Sequence, residues 1–291
     1  MLRRVLPIIG RSIADLWDNI LVLVAANVLW ALSALPGVVL FLLGSNIFTV
    51  LGLIMLEVLL LGPATLALFY LTSEVSRREH LELREFFIGL KRFYKRGWAV
   101  AGLNGFFLLL AYFNLVFYSS GEVASSPISV LSILWVYVLL VWLTMQLYLW
   151  PLALRMEQLK IGLLLRNTAL ATLKYPFYSL LMTLFLLILA VISFLLGFVP
   201  TVIFGAAFHI LVSNKALTAV LEREQSRLTA QTENSKLKIQ VSDLKKGGRT
   251  PPGEEVAASS PPEVTQPGDS FSWSNLDAQD TNRRKQNRKN R

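Results

Sequence analysis

Cysteine is absent from the 291 residues, and only two histidines occur, His80 and His209. The first absence excludes disulfides, thiol nucleophiles, thiolate zinc sites and iron–sulfur clusters; the second leaves too few ligands for a histidine-rich metal site. Charge is scarce as well. Asp, Glu, Lys and Arg make up 16% of the chain, against about 25% in soluble domains. No Gly-x-Ser-x-Gly elbow, His-Glu-x-x-His pair or Gly-x-x-x-x-Gly-Lys loop is present. Residues 153–176 also lack the Glu-Ala-Ala…Gly pattern of binding-protein-dependent permeases. These absences point away from an enzyme and imply neither cofactor nor metal.

What the chain has is apolar mass: 54% hydrophobic residues and a mean hydropathy of +0.53. The composition changes near residue 221. Beyond it come Pro251, Pro252, Pro261, Pro262 and Pro267, with Phe271 and Trp273 the only aromatics. Such a stretch buries too little apolar surface to offset its chain entropy, so 222–291 is predicted to be a disordered cytoplasmic tail. Its basic end, 283–291, could meet anionic lipid; nucleic acid is not the expected partner.

A membrane span needs about 20 mainly apolar residues. Six stretches within 1–221 satisfy this: 20–43, 47–71, 98–118, 128–152, 177–196 and 198–220. The expected fold is all-α, a polytopic transmembrane bundle with short hairpins at Gly44-Ser45-Asn46 and at Gly197–Pro200. Arg3 and Arg4 precede the first run as in a signal peptide. That run is about 24 residues, longer than the 7–15 of a cleaved h-region, so it is read as a retained span.

Lys and Arg set the orientation. Fourteen lie on one side: Arg3, Arg4 and Arg11; seven between 77 and 96; and Arg155, Lys160, Arg166 and Lys174. The loops at 44–46, 119–127 and around 197 contain none. Both termini are therefore expected in the cytoplasm. On that side Leu2, Val5, Leu6, Ile9, Ile13, Leu16 and Trp17 form one apolar helical stripe, suited to the membrane interface. Leu83, Phe86, Phe87, Leu90, Phe93 and Tyr94 form a second, among Lys91, Arg92, Lys95 and Arg96. It reads as an amphipathic surface helix that packs under the bundle, meets anionic headgroups or docks a membrane or cytoplasmic protein. Gly62–Leu68 and Trp150–Leu154 each close a span ahead of a basic stretch, the pattern a parallel duplication leaves.

Few polar groups lie within the spans. Glu57 counts to roughly 21 Å from the inner edge, Asn114 to roughly 24 Å and His209 to about 16 Å. A charge at such depth is costly, so Glu57 is expected in its neutral form. It is a candidate site with Asn114 and His209, or a hydrogen-bonded strut. Asn27, Asn104 and Gln146 share a second layer roughly 9–11 Å deep, which suits helix-to-helix bonding or solute coordination. Pro36 and Pro63 are candidate kinks.

The succession Asn27-Val28-Leu29-Trp30, Leu35-Pro36, Gly62-Pro63-Ala64-Thr65-Leu66-Ala67-Leu68, then Phe86-Phe87 and Lys91-Arg92-Phe93 resembles the YesL-like family of bacterial integral membrane proteins, a domain of unknown function. The likeness covers about residues 10–220. It implies a multi-pass protein of the bacterial cytoplasmic membrane, often encoded beside carbohydrate uptake genes, with no established activity and no catalytic residues. The expected function is a non-enzymatic accessory or scaffold component associated with carbohydrate uptake. The alternative is a small-solute or proton-coupled transporter built on Glu57 and the polar layers.

Overall fold

The computed structural model describes residues 2–42, 44, 46–75, 81–121 and 127–246. The regular structure among them is helical, with no strand. Nine α-helices occur: α1 Leu2–Asp18, α2 Ile20–Leu42, α3 Ile47–Leu56, α4 Gly62–Glu74, α5 Arg84–Ser119, α6 Leu131–Arg155, α7 Ile161–Lys174, α8 Pro176–Leu195 and α9 Ala206–Lys246. Two π-helical turns interrupt the ladder, Glu57–Leu61 between α3 and α4, and Thr201–Gly205 ahead of α9. Six segments are long and apolar enough to span a membrane. They are Ile20–Leu40, Ile47–Glu74, Arg84–Ser119, Pro127–Arg155, Pro176–Leu195 and Thr201–Lys238. The chain is thus a multi-pass membrane bundle.

Two compact units are distinguishable, Met1–Leu217 and Thr218–Arg291. In the second, α9 runs through 218–246, so the first part of the segment predicted to be a disordered tail is helical. The reason is local. Neither Pro nor Gly occurs between Gly205 and Gly247, and Glu, Lys, Arg, Gln and Leu dominate, all good helix formers. The hydroxyls of Ser226, Thr229, Thr232 and Ser235 bond back to carbonyls four residues earlier. Residues 247–291, with the basic run 283–291, lie outside the described residues.

Turn chemistry sets the connections in the first unit. α8 ends in a Schellman motif. Gly197 adopts φ +68°, Phe198 N–H bonds Ser193 O at 2.8 Å, and Gly197 N–H bonds Phe194 O at 3.0 Å, with Pro200 just beyond. Asn46 caps α3, its side chain accepting from Thr49 N–H at 3.0 Å. α1 and α2 meet at Asn19, and an ion pair of 2.6 Å joins Asp15 to Lys215. Leu6, Ile13 and Trp17 of α1 remain exposed, as an interface stripe requires.

The stretch predicted as a separate amphipathic helix is instead the first part of α5, continuous with the third span. No proline lies between Arg84 and Ser119, and three of the glycines within the stretch, Gly89, Gly97 and Gly105, pack against neighbouring elements as part of one helix. The corresponding basic stretch before α8 does stand apart as α7. There Pro176 follows Tyr175, which sits at φ −130°, ψ 58°; a proline disfavours helical backbone in the residue before it.

The α4–α5 contact is unusually close. A β-carbon added at Gly97 would lie 2.6 Å from Pro63 Cα and 2.7 Å from Pro63 N. One at Gly62 would lie 2.5 Å from Ala101 Cβ. Gly89 and Gly105 similarly admit Tyr70 and Ile54 on the same face. Small residues let backbones approach this closely, which replaces the hydrophobic drive that lipid does not supply.

Candidate functional site

The expected grouping of Glu57, Asn114 and His209 does not occur. Asn114 donates to Leu110 O of its own helix at 2.8 Å. The two ring nitrogens of His209 lie 2.8 Å from Gly205 O and 2.9 Å from Leu186 O, joining α9 to α8. Nearness along the membrane normal does not imply a shared helix face, so these depths alone bring no two of the three residues into contact.

The second layer divides in two. Asn104 and Gln146 meet: Asn104 Oδ1 accepts from Gln146 Nε2 at 2.8 Å and from Trp142 Nε1 at 3.1 Å. Gln146 Oε1 in turn accepts from Trp150 Nε1 at 3.1 Å. Trp142, Gln146 and Trp150 therefore form one polar-aromatic edge of α6 against α5, with Phe107 stacked on Trp142 at 4.0 Å. Their spacing of four residues was the available sequence signal. Asn27 sits elsewhere. Fully buried, it donates to Thr201 O and Val202 O, both at 2.7 Å, and accepts from Ala207 N–H at 2.7 Å. It thereby serves the backbone of the π-turn Thr201–Gly205.

The same principle recurs at two prolines, Pro63 and Pro151. Pro63 has no N–H for the carbonyl four residues before it, Leu59 O; the Trp98 indole donates there at 3.2 Å. Pro151 withholds an N–H from Leu147 O, and Ser213 Oγ donates there at 2.5 Å. Asn214 ties α9 to α4 through Phe69 O at 3.1 Å and Thr72 Oγ1 at 2.8 Å. A neighbouring side chain is one means by which prolines are accommodated within membrane helices. Pro36 lies inside α2, which continues to Leu42. Trp98→Phe keeps the ring and removes the donor. It is expected to lower stability by about 1–2 kcal/mol, read by thermal melting in detergent.

The docking set at the start of α5 also divides. Phe86 and Phe93 are buried, with Phe93 against Tyr70 at 5.4 Å. Arg96 closes the C-terminal end of α6, donating to Ala153 O, Leu154 O, Met156 O and Glu157 O at 2.5–3.3 Å. Four acceptors at a helix terminus, where unpaired carbonyls accumulate, make Arg96 a cap. Phe87, Lys91, Arg92 and Lys95 remain exposed. Arg92 lies 5.3 Å from the Phe93 ring and Lys95 5.9 Å from that of Tyr94.

Glu57 opens the first π-turn, its carbonyl accepting the Gly62 N–H. Its side chain lines a cavity of about 380 Å³ between α2, α3 and α5. The walls are mainly Leu, Ile, Val and Ala, with Ser33 and Tyr112 the other polar side chains. Ser33 Oγ is already engaged with Trp30 O at 2.6 Å. The Glu57 carboxyl makes no hydrogen bond or ion pair among the described residues. No group of three potential metal ligands occurs among them either.

No protein-family model, no curated protein and no solved structure matches the chain.

Proposed function

We propose that the protein is a non-enzymatic accessory or scaffold component of a bacterial cytoplasmic membrane, with both termini in the cytoplasm. The observation that carries this reading is the engagement of its intramembrane polar groups. Asn27, Asn104, Gln146, His209, Ser213 and Asn214 all bond within or between helices, as ties of the bundle. The exposed face of α5 offers Phe87, Lys91, Arg92 and Lys95 to anionic headgroups or to a membrane or cytoplasmic protein. The concentration of Lys and Arg at one side of the bundle supports the orientation.

The resemblance to the YesL-like family supports an association with carbohydrate uptake. Two of the residues on which the resemblance rests meet, Trp30 Nε1 donating to Thr65 Oγ1 at 2.9 Å.

The second reading, a small-solute or proton-coupled transporter, is favoured by Glu57 on its π-turn, since such turns recur at functional sites. Reconstituted vesicles separate the two. Under the scaffold reading, proton movement under an imposed gradient and uptake of a labelled hexose stay at the level of protein-free vesicles. Flux in the native protein that Glu57→Gln abolishes establishes the transporter instead.

A further inference from the structure

We propose that the cavity beside Glu57 is a binding site for a lipophilic monocation, an amine or quaternary ammonium with a hydrocarbon body. The inference goes beyond the scaffold reading and does not depend on it.

The argument starts from the imbalance of the site. Its volume of about 380 Å³ falls within the roughly 300–1,000 Å³ of small-molecule pockets. A sugar needs many hydrogen-bond partners. Here the Ser33 hydroxyl is already bonded to Trp30 O, so Glu57 and Tyr112 are the polar groups left to serve one. A neutral hydrocarbon would leave the carboxyl without a partner, which is unfavourable in a dry site. A monocation with apolar substituents meets both demands. Its single charge pairs with the carboxylate that Glu57 becomes on releasing its proton to solvent as the cation binds, and its hydrocarbon covers the Leu, Ile and Val walls. The Tyr112 ring offers a cation a further attractive face.

The chain supplies no such cation itself. Neither Lys, Arg nor His is among the lining residues. His209 is held between Gly205 O and Leu186 O. The six predicted spans carry no Lys or Arg apart from Lys215, which is paired with Asp15. A second copy therefore brings no counter-charge to this depth either. Access is lateral: Leu108 and Tyr112, both in the wall, are 44% and 41% exposed. An amphiphile that partitions into hydrocarbon can reach them without crossing the bundle.

The test uses the full chain in non-ionic detergent with labelled benzyltriethylammonium. The control ligand is its uncharged isostere, with carbon in place of the quaternary nitrogen. Equilibrium dialysis should show saturable binding of one cation per chain and no saturable binding of the isostere. Glu57→Gln should weaken binding at least tenfold, and Glu57→Asp should restore part of it. Ala34→Phe fills the cavity and leaves the acid intact; it should also abolish binding, so the test survives if Glu57→Gln fails to fold. The proposal is overturned by absence of saturable binding in the native protein, by equal binding of the isostere, or by undiminished binding in folded Glu57→Gln or Ala34→Phe.

Discussion

Gly97→Leu is expected to prevent the bundle from assembling. The atoms that a new side chain would meet belong to the backbone of Gly62 and Pro63, the nearest at 2.6 Å. No rotamer change can move them; α4 and α5 must separate. Overpacking by even a methylene costs about 1–3 kcal/mol in a core that can adjust. Here the obstacle is main chain, and Gly97→Ala alone should cost that much. Gly97→Leu should cost more, about 4 kcal/mol, a large fraction of the total for most folds. Gly102→Ala on the same helix is the control. Nothing lies within 4 Å of the added carbon, and an alanine is favoured over glycine in a helix by up to about 1 kcal/mol. Melting in detergent should therefore show Gly97→Ala well below the native protein and Gly102→Ala at or above it.

Asn27→Leu is the second large effect. The change removes three hydrogen bonds, each of 2.7 Å, and leaves two carbonyls and an amide of the π-turn region without their side-chain partner. Stranding a buried polar group costs about 1–3 kcal/mol. A loss of about 3–5 kcal/mol is expected, with incomplete recovery as the turn reverts toward a regular α-helix. Asn114→Leu makes the contrast. Its amide bonds only Leu110 O of its own helix, so its loss should shift stability by about 0.5 kcal/mol or less. Denaturant titration of the two variants in mixed micelles measures the difference.

Both expectations concern features that the sequence disclosed unequally. The spans were legible because apolar length alone determines them: four of the six fall within about three residues of the predicted bounds, whereas the third begins at Arg84 and the last runs on to Lys238 as continuous helix. The hairpin at Gly197 was legible because Gly followed by Pro matches the chemistry of that turn. The pairing of polar groups was not. Counting residues gives depth, one coordinate of three; Asn27 and Asn104 share a depth yet face different neighbours. The π-turns were invisible because they arise from Pro63, from tertiary packing and from partners distant in sequence, such as Trp98 and Asn27. The stripe Gly89, Gly97, Gly105 was present at a regular spacing of eight residues, and its meaning depended on which helix lay opposite. The helix at 222–246 was not legible from composition, because a polar segment without Pro or Gly can be helical or disordered alike.

The basic face of α5 shows how packing sharpens a candidate surface. Seven aromatic and basic positions looked equivalent in sequence. Burial removes Phe86 and Phe93, and the carbonyls at the end of α6 remove Arg96. What remains, Phe87 with Lys91, Arg92 and Lys95, is compact enough to alter without touching the bundle.

Affinity purification from native membranes, comparing the native chain with Phe87→Ala/Lys91→Glu/Lys95→Glu, tests the scaffold reading most directly. The account predicts a membrane or cytoplasmic protein recovered in near-stoichiometric amount with the native chain and lost from the triple variant, whose melting temperature is unchanged. Recovery of both chains without any stoichiometric protein partner would contradict it.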